Sequence, residues 1–255
     1  MRLTVLGSGN GVPTATRGCP GFLVRGAGET VLLDPGPGTL AAAARAGVDA
    51  GQVTGVLLTH LHIDHHLDLA ALLFALRSPR FRGRPPLRVL GPRGLLRTYA
   101  LWREAYGHWV EPEGYELDIA EAVPGPARLG GLLLEAVAVP HGRRPALGWR
   151  IRERQGGPVL AFSGDTGEGP GIVEAGRDAD LFVLECTLPP GEPTVKHLTA
   201  EAAGRVAAAS GCRRLLLVHF SPAVEGTPVE PAVRAAYGGP LALACDGYET
   251  EVGDP

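Results

Sequence analysis

The chain has 255 residues, with 45% hydrophobic and 20% charged content, which predicts a substantial buried core and excludes a disordered chain. Its net charge of −3 removes any general electrostatic case for nucleic-acid binding and leaves only a local one. No apolar run approaches membrane-spanning length, and Met1-Arg2-Leu3-Thr4-Val5-Leu6-Gly7 passes too quickly into Gly and Ser for a signal peptide, so a cytoplasmic protein without membrane contact is expected. The four cysteines, Cys19, Cys186, Cys212 and Cys245, form no C-x-x-C pair; this fits a reducing compartment and implies no zinc knuckle. Lys196 is the only lysine among the 24 basic residues, a bias that carries no functional signal by itself.

Residues 2–6 read as a strand, followed by the loop Gly7-Ser8-Gly9-Asn10-Gly11-Val12-Pro13. The loop has neither Gly-Lys-Ser/Thr nor the G-x-G-x-x-G spacing of phosphate-cradling loops, so a turn packed beneath a site is expected. Residues 22–25 and 30–33 predict a hairpin closing at Gly26-Ala27-Gly28. Its second strand runs into Asp34, a carboxylate placed either to orient a metal-bound histidine from behind or to cap the turn that follows. An alanine-rich helix over 39–46 leads to the apolar run Val56-Leu57-Leu58.

That run delivers the densest chemistry of the chain, Thr59-His60-Leu61-His62-Ile63-Asp64-His65-His66-Leu67-Asp68. Imidazole nitrogens and carboxylate oxygens are donors for zinc and similar first-row ions. In extended chain His60 and His62 project from the same side, whereas Asp64 and His65 diverge unless the chain curls there into a helix start. The spacing suggests two ligand pairs for two neighbouring metals, not four ligands for one.

Leu67 to Leu76 is apolar on nearly every face apart from Asp68, the pattern of a helix buried on all sides. Residues 77–103 then carry eight arginines and no acid, and Tyr99, Trp102, Tyr106 and Trp109 overlap the end of this run. Such a segment is either a basic, aromatic lid for a phosphate-bearing substrate or a solvated arginine surface over a small satellite core, and charge runs favour the second. Leu132 to Val139 predicts a strand ending in Pro140-His141, and 146–152 with 159–163 a strand pair ending in Gly164-Asp165. Another strand covers 180–185. Thr199 is a good helix N-cap, with the helix running to Ser210 and stopping at Gly211. Leu215 to Val218 ends in His219.

Four apolar strands thus end in His60, His141, Asp165 or His219, and strand C-termini are where α/β sheets gather their sites. No linker or repeat interrupts the chain, so one α/β domain spanning 1–255 is expected. Arg143 and Arg144 directly follow His141, and guanidinium suits bidentate phosphate binding.

These residues resemble the metallo-β-lactamase superfamily of hydrolases over nearly the whole chain. His60-Leu61-His62-Ile63-Asp64-His65 matches the family's leading motif, and His141, Asp165 and His219 fall at its later ligand positions. Leu6-Gly7-Ser8-Gly9, Pro13, Arg17, Ser163-Gly164-Asp165-Thr166 and His219-Phe220-Ser221-Pro222 are similar to the branch holding ribonuclease Z and small-molecule cyclic phosphodiesterases. The resemblance implies a four-layered αββα sandwich with a dinuclear metal site at one edge. It implies that His60, His62 and His141 bind one metal, that Asp64, His65 and His219 bind a second, and that Asp165 bridges them. His197-Leu198-Thr199-Ala200-Glu201 is similar to the branch's catalytic-histidine segment. Two departures stand out: only 24 positions separate His141 from Asp165, too few for the ribonuclease Z tRNA-binding arm, and the cysteine-based structural zinc site of the phosphonate-pathway phosphodiesterases has no counterpart.

Two divalent ions about 3.5–4 Å apart activate a water and stabilise the attacking and leaving oxygens. Zinc is the expected metal, with manganese and iron as alternatives. Asp64 is assigned as ligand and proton acceptor, His197 as general acid, and His66 and His108 as structural. The expected activity is hydrolysis of a small phosphodiester. The competing readings are a hydrolase of another ester class (thioester, lactone or sulfate ester) and a ribonuclease Z-like tRNA 3′-processing endonuclease, which would make nucleic acid a partner; a homodimer stays open.

Overall fold

In the computed structural model, which describes residues 1–253, strands alternate their side chains between two apolar layers. The first part of the chain forms β1 (Arg2–Gly7), β2 (Gly21–Gly26), β3 (Glu29–Leu33), α1 (Thr39–Arg45), β4 (Gly55–Leu57), α2 (Ile63–Ala75), β5 (Leu87–Gly91), α3 (Leu95–Tyr106) and β6 (Leu117–Glu121). The second forms β7 (Gly125–Leu129), β8 (Leu132–Ala138), β9 (Leu147–Arg152), β10 (Leu160–Phe162), α4 (Pro170–Gly176), β11 (Leu181–Glu185), α5 (Ala200–Ser210), β12 (Leu215–Val218), α6 (Val229–Arg234), β13 (Leu241–Leu243) and β14 (Glu249–Glu251). Among the described residues they build two mixed seven-stranded sheets, ordered β14-β1-β2-β3-β4-β5-β6 and β13-β12-β11-β10-β9-β8-β7.

The layering follows from which face each strand buries. Val31, Leu33 and Leu57 of the first sheet meet Leu134, Trp149, Ile151 and Phe162 of the second in the core between the sheets. Leu32, Val56 and Leu58 face the other way, onto Leu69, Leu72 and Leu73 of α2 and Leu95 of α3. On the far side, Phe182, Leu184 and Leu217 pack on Ile172 of α4 and Ala203 and Val206 of α5. Strands covered on both faces read as continuous apolar runs, as Val56-Leu57-Leu58 does, and the four layers are the expected αββα sandwich. No helix among the described residues is long and apolar enough to cross a membrane.

The predicted hairpin is present, with Phe22 opposite Leu33. Ala27 and Gly28 both sit at positive φ, 50° and 81°, the pattern of a two-residue type I′ turn. Thr199 caps α5 by accepting a bond from the Ala202 amide at 3.3 Å, and Gly211 closes it at φ 68°.

Two sequence expectations are corrected. The helix after the metal motif starts at Ile63, not Leu67, so Asp64 and His65 lie in its first turn. It is also not buried all round: Ile63 and Phe74 are 65% and 57% exposed. The arginine-rich stretch contains β5, and five of its eight arginines are matched by acids outside it, Arg77 and Arg82 with Glu113, Arg80 with Asp49, Arg88 with Asp118 and Arg103 with Glu111. Phe81, Tyr99, Trp102 and Tyr115 form the satellite packing beneath, so this segment is a solvated surface.

Trp149 is fully buried between the sheets, and its indole Nε1 donates to the Leu58 carbonyl at 3.1 Å. Trp149→Ala is expected to lower the unfolding free energy by roughly 3–5 kcal/mol in urea denaturation; a loss below about 1 kcal/mol would mean the sheets collapse to fill the space.

Candidate metal centre

The centre lies where five strands end. Thr59, His60 and His62 follow β4, Asp64 and His65 open α2, His141 follows β8, Asp165 follows β10 and His219 follows β12. Asp34, fully buried after β3, is the hub behind them. Its Oδ1 accepts the Thr59 amide at 2.7 Å, and its Oδ2 accepts the Thr59 hydroxyl at 2.6 Å and His65 Nδ1 at 2.9 Å. Asp34 and His219 both hold left-handed backbone, φ 44° and 61°, a strained conformation for non-glycine residues of the kind that gathers at functional sites. Gly36 is required for a different reason: a Cβ there would lie 1.8 Å from the Asp64 carbonyl oxygen, so only glycine lets the first turn of α2 approach β3.

Hydrogen-bond accounting fixes the imidazole tautomers. The Thr59 hydroxyl spends its proton on Asp34 and so accepts from His60 Nδ1 at 3.0 Å. The Thr187 hydroxyl donates to Glu185 Oε2 at 2.6 Å and accepts from His219 Nδ1 at 2.7 Å. His65 Nδ1 donates to Asp34, and His141 Nδ1 donates to the Lys196 carbonyl at 2.9 Å. Four Nε2 lone pairs therefore point inward. His65 Nε2 and His219 Nε2 come within 3.1 Å of each other, and His141 Nε2 and His62 Nδ1 within 3.3 Å. His60 Nε2 and Asp165 Oδ1 are buried without a hydrogen-bond partner, although Asp165 Oδ1 lies 3.2 Å from the Nε2 atoms of both His65 and His219.

Lone pairs so crowded repel unless a cation sits among them. Four groups have their donor atoms within 4.8 Å of one another, among them His60, His62, His141 with Asp165, and Asp64, His65 with His219. Nitrogen and carboxylate oxygen donors of this kind fit a divalent first-row ion, and outer partners such as Asp34, Thr59 and Thr187 orient the ligands as metal sites require. The charges agree. Burial pushes His60 well below the usual imidazole range and lowers His62 and His141 as well, which keeps them unprotonated and ligand-ready. His65 is the exception: burial would lower it, but Asp165 and Asp34 overcome this and raise it well above that range, so a cation bound there would displace its Nε2 proton. Burial would raise Asp165, yet the His219 and His65 imidazoles hold it well below the carboxylate range.

His197 stands beside both groups, its ring centroid 5.2 Å from His141 and 6.0 Å from His219. It also falls within 4.8 Å of Asp165 and His219 in ligand-atom distance, but its Nδ1 is 2.9 Å from Glu185 Oε1 and 3.9 Å from Asp165 Oδ2, so that nitrogen donates to Glu185. Burial lowers its pKa, and the Glu185 hydrogen bond more than restores it, leaving it raised. Glu185 is itself buried and also receives the Thr166 and Leu198 amides at 2.7 and 3.1 Å.

Glu185 and Thr187 were not among the residues singled out from sequence. The signal was present: Glu185 is a carboxylate closing the apolar strand Leu181–Glu185, as Asp165 follows β10. Arg143 and Arg144 are exposed on the turn after His141, and the Arg144 charge adds to the burial that lowers His62. His66 Nδ1 donates to the His62 carbonyl at 2.7 Å and its ring stacks on Trp102, while His108 lies against Trp109; neither belongs to the ligand groups. The loop after β1 is anchored where Asn10 N donates to the Phe220 carbonyl and Ser8 donates twice to Asp246 Oδ1; its start is buried as expected, but its tip is exposed and reaches the centre's edge, where Gly11 abuts Asp64.

Asp34→Asn keeps the shape and the left-handed backbone but removes the acceptor for His65 or Thr59. It is expected to weaken metal binding about 10–100-fold in chelator competition while the fold persists; unchanged affinity would strip Asp34 of its orienting role.

Residues 29–220 match the family described as Beta-lactamase superfamily domain. Ribonuclease Z of Kineococcus radiotolerans is 33% identical over 268 aligned positions, which take in 86% of this chain and 83% of the relative. The metallo-β-lactamase fold protein YhfI of Bacillus subtilis superposes with a TM-score of 0.84 at 21% identity over 98% of each chain. The short form of human tRNase Z superposes with a TM-score of 0.80 at 25% identity over the full length of both. With a matching fold, a match over most of its length and a buried His/Asp cluster shaped for divalent metal, the chain belongs to the β-lactamase superfamily of metal-dependent hydrolases.

Proposed function

We propose that the chain is a phosphodiesterase that hydrolyses a small phosphodiester at a dinuclear centre. His197 carries this reading. An imidazole beside both ligand groups, held through Nδ1 by a buried carboxylate and raised in pKa, is equipped to protonate a departing oxygen from Nε2. The alkoxide leaving from a phosphodiester needs such a proton, whereas the thiolate leaving from a thioester does not.

In this reading His60, His62 and His141 hold one ion, Asp64, His65 and His219 hold the other, and Asp165 is shared, with zinc the expected metal. When bound, the ions supply Lewis acidity toward phosphoryl oxygen and an acidified water. Asp64 takes the proton of the attacking water; burial pushes its carboxyl up, but His219 and His65 overcome this and hold it below the ordinary range, so it is ionised and able to accept. Glu185 fixes the His197 ring and favours its protonated form. Arg143 and Arg144, on the turn after His141, add positive charge at the mouth for a phosphate-bearing substrate.

A ribonuclease Z-like reading is favoured by the 33% identity to a ribonuclease Z, since an RNA linkage is also a phosphodiester. Two observations weigh against it. The 268-position alignment exceeds the 255 residues of this chain while using only part of it, so the relative carries segments without a counterpart here. Between His141 and Asp165 stand only β9 and β10, with no protruding arm among the described residues.

His197→Ala is expected to lose about 10²–10⁴-fold in kcat with metal content intact, and to lose less on p-nitrophenyl esters, whose leaving group needs no proton. Loss of metal, or equal impairment on good and poor leaving groups, would remove the general-acid role. Metal analysis of the replete protein should give about two ions per chain and a clear fall in Asp165→Ala; one tightly held ion unaffected by the change would refute the bridging role. A screen of bis-p-nitrophenyl phosphate, a thioester, a lactone and pre-tRNA should show turnover of the first; efficient site-specific pre-tRNA cutting would favour the second reading.

A further inference from the structure

Three cations crowd one lip of the centre. Arg143 and Arg144 follow the ligand His141, and Lys196 precedes His197; all three are exposed. The two segments touch. His141 Nδ1 donates to the Lys196 carbonyl at 2.9 Å, and a Cβ added to Gly142 would lie 3.2 Å from Lys196 Cε, so the lysine's aliphatic stem runs over the turn that presents the arginines. Among the described residues none of the three forms an ion pair. Of the acids on adjoining segments, Glu168 is engaged by Arg205 through bonds of 2.9 and 2.7 Å, and Glu192, earlier on the Lys196 loop, is exposed and pairs with none of the three. Most arginines of the 77–103 surface, by contrast, have carboxylate partners.

Like charges on adjoining turns repel, and the repulsion is relieved when an anion sits between them. A simple phosphodiester brings one negative charge, and the centre already sets its metal ions and His197 against that charge. The lip is therefore cationic in excess of what a singly charged substrate requires. Another part of the mouth differs in character: Gly11 abuts the Asp64 side chain, and next to these two residues Val12 and Ile63 are 58% and 65% exposed. The cationic side is thus a distinct feature of the mouth and not a property of its whole rim.

Resting on the phosphodiesterase reading, we infer that the substrate is a small phosphodiester bearing a second phosphate, and that Lys196, with Arg143 and Arg144, holds that second phosphate and sets the specificity. The probes are thymidine 5′-(p-nitrophenyl phosphate) and its 3′-phosphorylated counterpart, which differ by one phosphate and release the same chromophore. The metal-loaded protein is expected to favour the doubly phosphorylated probe by about tenfold or more in kcat/KM, chiefly through KM, as charge-assisted contacts of this kind do. Lys196→Gln should cut the preference to about threefold or less, and added salt should shrink it, because exposed charges are screened. Titration calorimetry with thymidine 3′,5′-bisphosphate against thymidine 5′-monophosphate reads the same preference without turnover. Turnover of both probes with no preference, or a preference that Lys196→Gln and the Arg143→Gln/Arg144→Gln double variant leave intact, overturns this inference alone. A short RNA oligonucleotide that outcompetes the bisphosphate by more than about tenfold assigns the cations to a polymer backbone and overturns the small-substrate form. Turnover of neither probe removes the phosphodiesterase reading and this inference with it.

Discussion

Everything at the centre depends on crowding imidazoles and carboxylates into a space from which water is largely excluded. Such a cluster is unfavourable unless each outward-facing nitrogen is tied to a partner and the inward-facing lone pairs share a cation. Asp34 meets the first condition for half of the site, directly for His65 and through Thr59 for His60. Thr187 and the Lys196 carbonyl do the same for His219 and His141. The left-handed backbone at Asp34 and His219 is held in place by these bonds and by the packing of both sheets around it.

The candidate ligands come from both halves of the sandwich: His60, His62, Asp64 and His65 from the first sheet and its helix, His141, Asp165 and His219 from the second. A cation held by both halves would therefore close the edge that the apolar core between the sheets leaves open. Metal affinity and sheet packing are coupled in this arrangement, because moving one sheet against the other changes both.

Much of this was legible in the sequence because the ligands follow short apolar strands, a pattern that survives without any alignment. The hairpin at Ala27-Gly28 and the Thr199 cap were equally local, and both formed as read. What escaped was non-local. That α2 begins at Ile63 depends on Gly36 admitting the helix against β3, a contact no periodicity reveals. The exposure of Phe74 reflects where α2 sits on the sheet, not its composition. The arginine run looked unpaired because its acids, Asp49, Glu111, Glu113 and Asp118, lie outside it in sequence. Glu185 was overlooked because a single acid after four apolar residues carries no motif; only the fold brings it to His197.

The pairing of β1 with β14 has a consequence for biosynthesis. The Val5 amide donates to the Tyr248 carbonyl, the Val5 carbonyl accepts from the Gly247 amide, and Ser8 is anchored by Asp246. A ribosome therefore delivers β1 long before its outer neighbour β14. Until residues 246–251 emerge, one side of β1 stays unpaired and the loop beneath the centre lacks its anchor. A nascent chain halted before that point presents an open strand edge, the kind of surface that chaperones cover and that other nascent chains can pair with.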